Sequence, residues 1–141
     1  MEFHYHHCGV SVPDLDAAIA WYAHVLGFTV ERRYPIASIP AEIAVLRNGD
    51  LHFELFEVPG AATLPPDRRE PDQDVHTHGN KHIAFTVADT TALAAELRQR
   101  GADIVWEKRT PQFANVFIRD NAGNLIEFVE KGLPEGRAGQ I

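Results

Sequence analysis

His7-Cys8-Gly9-Val10-Ser11-Val12-Pro13-Asp14 returns as His82-Ile83-Ala84-Phe85-Thr86-Val87-Ala88-Asp89, 75 residues further along the chain. Both blocks lead into an alanine-rich stretch that ends in glycine, Gly27 in the first copy and Gly101 in the second. Farther on, Gly49-Asp50-Leu51-His52-Phe53-Glu54-Leu55-Phe56-Glu57 is answered by Gly123-Asn124-Leu125-Ile126-Glu127-Phe128-Val129-Glu130. Glu54 and Glu127, the inner glutamates, are 73 residues apart. Three matched stretches in one order, at nearly constant spacing, mark an internal duplication.

Each copy reads as a strand, a helix and three more strands. His4 to Val12 alternates as a strand does. Asp14 then stands at a helix N-cap with Asp16 in the first turn. Ile19, Tyr22, Ala23 and Leu26 follow at helical spacing, and Gly27 supplies the stop. Strands are expected over 28–34, 42–47 and 51–58. The second copy gives a strand over 81–87, a helix from Asp89 or Thr90 to Arg100, and strands near 103–107, 114–119 and 124–130. The fold class is therefore α+β, one domain of tandem βαβββ modules, about 3–58 and about 81–131. The linking loop 59–80 is rich in Pro, Asp and Arg and ends His76-Thr77-His78-Gly79-Asn80. Such a long aperiodic connection is expected to lie beside the site and to order on substrate binding. The Gly- and Pro-rich tail 132–141 is expected to be loosely held.

Composition removes several classes of function. Thirteen basic and 20 acidic residues give a net charge of −7, which disfavours nucleic acid and anionic membrane as partners. No apolar run approaches the roughly 20 residues needed to cross a bilayer, and the N-terminus does not read as a secretion signal. A single cysteine, Cys8, permits no internal disulfide and suits the cytoplasm.

Strand parity places the chemistry. Cys8, Val10 and Val12 share an apolar face, as do Ile83, Phe85 and Val87. His7 and His82 take the opposite face, each followed there by small residues that leave room for an ion and a substrate. Glu54 and Glu127 point away from the apolar residues flanking them. An ionised carboxylate in the middle of an apolar strand costs several kcal/mol to bury uncompensated. A common partner for both glutamates answers this. A divalent cation held by His7, Glu54, His82 and Glu127 offers nitrogen and oxygen ligands suited to Ni, Zn, Co, Mn or Fe. His4, His6, His24, His76 and His78 lack repeat partners and stay outside this set. His52 lies on Glu54's face and is a candidate base. Arg47, Lys81, Arg109 and Arg119 are candidates to meet an anionic group of the substrate.

These stretches resemble the vicinal oxygen chelate superfamily, the group of glyoxalase I, methylmalonyl-CoA epimerase, the fosfomycin- and bleomycin-resistance proteins and the extradiol dioxygenases. The likeness runs from His7 to Glu130 through Trp21-Tyr22-x-x-Val25-Leu26-Gly27-Phe28, Lys81-His82-Ile83-Ala84-Phe85 and Asp120-x-x-Gly123-Asn124-x-Ile126-Glu127-Phe128. It implies curved mixed sheets around a metal cleft, with His7, Glu54, His82 and Glu127 as ligands. The presence of Glu54 is similar to the glyoxalase I and epimerase branch. That branch implies a metal-dependent isomerase, epimerase or glyoxalase-type lyase acting on a small oxygenated substrate through a metal-stabilised enolate. Glu127 is then the expected base, and Glu54 or His52 returns the proton. A homodimer is implied, with the site within one chain or shared across two. The alternatives are a non-haem Fe(II) dioxygenase, whose open coordination positions a fourth protein ligand would partly block, and an antibiotic-binding protein, which typically lacks the ligands.

Overall fold

The computed structural model describes residues 1–132, so the expectation for the tail falls almost wholly outside the described residues. The chain divides between Thr63 and Leu64 into two compact units. Unit one contains β1 (Cys8–Ser11), α1 (Leu15–Leu26), β2 (Thr29–Ile36), β3 (Ala41–Asn48) and β4 (Leu51–Glu57). Its mixed sheet has the order β1-β4-β3-β2, with β1 parallel to β4 and the other pairs antiparallel. Unit two carries a 3-10 turn (Pro66–Arg69) and the short α2 (Pro71–Asp74), then β5 (Ile83–Val87), α3 (Thr90–Gln99), β6 (Asp103–Arg109), β7 (Ala114–Arg119) and β8 (Leu125–Glu130). Its order is β5-β8-β7-β6, the same topology. The duplicated sequence is thus a duplicated βαβββ fold.

Local chemistry sets the elements. Asp14 accepts from the Ala17 amide at 2.8 Å, and Asp89 accepts from the Thr91 and Ala92 amides, so both helices start on a carboxylate cap. Gly27 closes α1 at φ 71°, a left-handed conformation that glycine adopts without strain. Ladder register shifts between Val30 and Arg32 in β2 and between Ile104 and Trp106 in β6, bending the two sheets at matched places.

Three details differ from the sequence reading. The first strand begins at Cys8 rather than His4, because pairing with β4 starts at Cys8↔Phe53 and leaves residues 4–7 upstream of the ladder. The buried stripe of α1 is Leu15, Ala18, Tyr22 and Val25, with Ala23 exposed. An alanine-rich helix is apolar on most sides, so spacing alone does not fix its inner face. Tyr22 does fix it, with its ring 5.0 Å from that of Phe53. The 64–80 part of the link carries the 3-10 turn and α2 and belongs to unit two. Buried Asp74 pairs with Lys81 Nζ at 3.1 Å and with Arg68, while Arg119 donates to the Arg69 carbonyl at 2.8 Å.

Candidate functional site

Pleating sorts the glutamates from their neighbours. Phe53 and Leu55 are buried, while Glu54 between them is only partly covered; Ile126 and Phe128 stand in the same way around Glu127. Gly9 is in register beside Glu54 and Ala84 beside Glu127. A Cβ at Gly9 would come within 3.2 Å of the Phe56 ring, so a side chain there would have to displace that ring slightly. His7 and His82 each precede their strand by one residue. His7 Nε2 lies 3.2 Å from Glu54 Oε2, and His82 Nε2 lies 3.0 Å from Glu127 Oε2.

The four expected ligands therefore come together two by two, one histidine and one glutamate in each unit. Among the described residues no cluster of three or more His, Cys, Asp or Glu side chains is gathered for a metal ion. Each pair nevertheless fits half of such a site. Nitrogen and oxygen donors roughly 2.0–2.2 Å from a divalent ion stand roughly 3 Å apart at adjacent coordination positions. Both pairs have that spacing, and both carboxylates lack the apolar packing of their neighbours.

Residues without repeat partners complete the pairs. The Tyr34 hydroxyl donates to Glu54 Oε1 at 2.9 Å, and Asn115 Nδ2 donates to Glu127 Oε1 at 2.7 Å. The duplication marks neither of them, although an Asn within the apolar run Ala114–Ile118 is a readable sign. Burial pushes the Glu127 carboxyl up, but the hydrogen bonds from His82 and Asn115 outweigh it and hold the group below its ordinary range. The hydrogen bond to Glu54, then burial, pushes the Tyr34 hydroxyl up. His6, outside the ligand set expected from the sequence, has its Nδ1 2.6 Å from His7 Nδ1.

A cavity of about 350 Å³ opens in unit one, with His7, Glu54, His52, Glu31, Arg32 and Asp50 among its lining residues. His52, the candidate base, faces it with Nε2 3.9 Å from Glu31 Oε2. Each of the four candidate cations for an anionic substrate group has an acceptor within the chain. Arg47 donates to the Gly49 carbonyl, and Lys81 to the Asp74 and Thr77 carbonyls. Arg109 pairs with Glu130, and Arg119 with Asp103 and Glu70. The outer glutamates of the repeat are structural: Glu57 accepts from the Leu15 amide at 2.7 Å and Glu130 from the Thr90 amide at 2.9 Å, one at each helix start.

Two sheets of this topology with matched His–Glu pairs define a class, and sequence comparison agrees. The chain belongs to the Glyoxalase/Bleomycin resistance protein/Dioxygenase superfamily, whose model matches residues 4–128. It is 32% identical over 123 residues to a 2-epi-5-epi-valiolone epimerase from Actinomyces sp, covering 74% of this chain and 63% of that enzyme, so it spans under two thirds of that relative's length. It is 28% identical over 131 residues to the uncharacterized protein YaeR of Escherichia coli, covering 89% of this chain and 95% of the relative. Among solved structures, a glyoxalase family protein from Enterococcus faecalis superposes with a TM-score of 0.76 at 21% identity, covering 90% and 97% of the two chains. The trypanothione-dependent glyoxalase I of Leishmania major gives a TM-score of 0.69 at 25% identity, covering 92% and 88%.

Proposed function

We propose that the protein is a metal-dependent isomerase or epimerase that moves a proton at the carbon next to a carbonyl of a small oxygenated substrate. The observation carrying this reading is the repeated pair, His7 with Glu54 and His82 with Glu127, each at ligand spacing. These four residues would hold one divalent ion, contributed by one chain or by two. When bound, the ion supplies Lewis-acid stabilisation of negative charge developing on a substrate oxygen. Glu127, held ionised by His82 and Asn115, accepts the proton. Glu54 or His52, both lining the unit-one cavity, returns it. Arg32, Glu31 and Asp50 offer donors and acceptors there that suit substrate hydroxyl groups. One relative's name, an epimerase, supports epimerisation over a lyase reaction.

The test is proton exchange. Metal-loaded protein is incubated in D₂O with a panel of small hydroxylated ketones, 2-epi-5-epi-valiolone among them, and deuterium at the carbon beside the carbonyl is followed by NMR. Wash-in that disappears with chelator supports the reading. Oxygen uptake with iron, or no exchange with any member of the panel, counts against it.

A further inference from the structure

Carboxylates have two equivalent oxygens, and a divalent cation can be gripped by one or by both. In this chain both inner glutamates have one oxygen already engaged. Tyr34 Oη donates to Glu54 Oε1 at 2.9 Å, while Glu54 Oε2 faces His7 Nε2 at 3.2 Å. Asn115 Nδ2 donates to Glu127 Oε1 at 2.7 Å, while Glu127 Oε2 faces His82 Nε2 at 3.0 Å. The two half-sites share this arrangement although its donors are unrelated in the repeat. Tyr34 is on β2, where the matching residue of unit two is Lys108 on β6. Asn115 is on β7, where the matching residue of unit one, placed by the pairings Ile43↔Phe56 and Asn115↔Val129, is the buried Ile43. The histidines and glutamates repeat between the units, whereas the donors to the second oxygen do not.

We propose that Tyr34 and Asn115 are positioning residues that hold Glu54 and Glu127 as one-oxygen ligands, each presenting Oε2 beside its histidine. This rests on the metal reading above and extends it to residues that no repeat marks. The physical effect is twofold. A carboxylate tied at one oxygen loses the rotation that would let it grip an ion with both. Coordination positions that two-oxygen binding would fill stay open for the substrate. Asn115 is suited to the task because it is 4% exposed on a central strand and cannot swing away. Tyr34 is suited because its ring is held under the Arg32 guanidinium, 5.7 Å from the ring centroid.

The experiment uses Tyr34→Phe, which removes only the hydroxyl, and Asn115→Leu, which keeps the branching at Cγ but is bulkier and removes the donor. Each is studied with Co(II) as the probe ion and also metal-free. Tyr34→Phe keeps the ring in place and secures the test if Asn115→Leu folds poorly. Co(II) is expected to bind about 10-fold more weakly to either variant, the scale on which ligand-orienting partners act. The visible Co(II) absorption should weaken as a second carboxylate oxygen joins and coordination number rises, a change that lost packing alone does not produce. In metal-free crystals of Tyr34→Phe, the Glu54 carboxylate should leave its position beside His7. Wild-type Co(II) affinity and spectrum in Tyr34→Phe, with an unmoved carboxylate, would overturn the proposal. A wild-type protein that binds no Co(II) while Glu54 still reorients in Tyr34→Phe would refute the metal reading and sustain the positioning role.

Discussion

Replacing Glu127 by glutamine separates the two jobs assigned to that side chain. The carboxylate accepts from Asn115 Nδ2 through Oε1 and faces His82 through Oε2. An amide has only one oxygen, so the new side chain can satisfy the His82 side only by turning its NH₂ towards Asn115. Donor would then face donor, unless Asn115 rotates its own amide. It can do so without losing a bond, because Asn115 Oδ1 is buried without a hydrogen-bond partner. The flipped Asn115 amide then accepts from the introduced NH₂. The stability change should stay within about 1 kcal/mol, one hydrogen bond exchanged for another. The remaining oxygen still serves a metal ion, at reduced affinity. What disappears is the ability to take a proton, a contribution usually worth a factor of about 10² to 10⁴. That corresponds to about 3–5 kcal/mol of barrier. The assay pairs metal content after dialysis with the rate of deuterium wash-in, and His82→Ala serves as the contrast because it removes a ligand outright. Glu127→Gln should keep metal and lose exchange, whereas His82→Ala should lose both. Retention of metal together with near-normal exchange in Glu127→Gln would refute the assignment and move the base to Glu54 or His52.

Two further predictions concern the scaffold. Lys81→Met removes the cation bonded to the buried Asp74 carboxylate and to the Asp74 and Thr77 carbonyls. Arg68 still partners Asp74, so the loss is set below that of a wholly orphaned buried charge, about 2–3 kcal/mol by denaturant titration; a change under about 0.5 kcal/mol would contradict it. Glu130 is held at about 2 by Arg109 and then by Thr90, against an ordinary 4.5. A carboxyl lowered on folding contributes stability above its unfolded value and loses it as pH falls towards the folded one. Glu130→Gln should therefore flatten the fall in stability between about pH 4.5 and 2. Parallel wild-type and variant curves across that window would show the carboxylate to be uncoupled from folding.

The duplication makes most of the fold legible. A repeat of His, helix cap, glycine stop and inner Glu carries both modules and both His–Glu pairs, because each of these residues answers a demand that recurs in each copy. It also misleads, since Glu57 and Glu130 repeat as faithfully as Glu54 and Glu127, yet they serve the helix starts. What a repeat cannot reveal is a residue that occurs once. Tyr34, Asn115 and His6 touch the His–Glu pairs from positions where the other copy has a different kind of residue. The cations mislead in the opposite way. Arg47, Lys81, Arg109 and Arg119 look available as letters, but chain folding gives each an internal acceptor. The linking segment reads as aperiodic because its order comes from the buried Asp74–Lys81 pair and the Arg119 anchor rather than from any regular apolar pattern.

If the two His–Glu pairs are halves of one site, as proposed, the number of metal ions bound per chain reveals it. Protein purified without an affinity tag, loaded with Co(II) or Ni(II) and dialysed, is analysed for bound ion per chain beside His7→Ala and His82→Ala. One ion per chain in the wild type, lost from both variants, is the predicted result. Two ions per chain, or an ion retained at full occupancy when either histidine is removed, would mean that the pairs act separately and would refute a shared site.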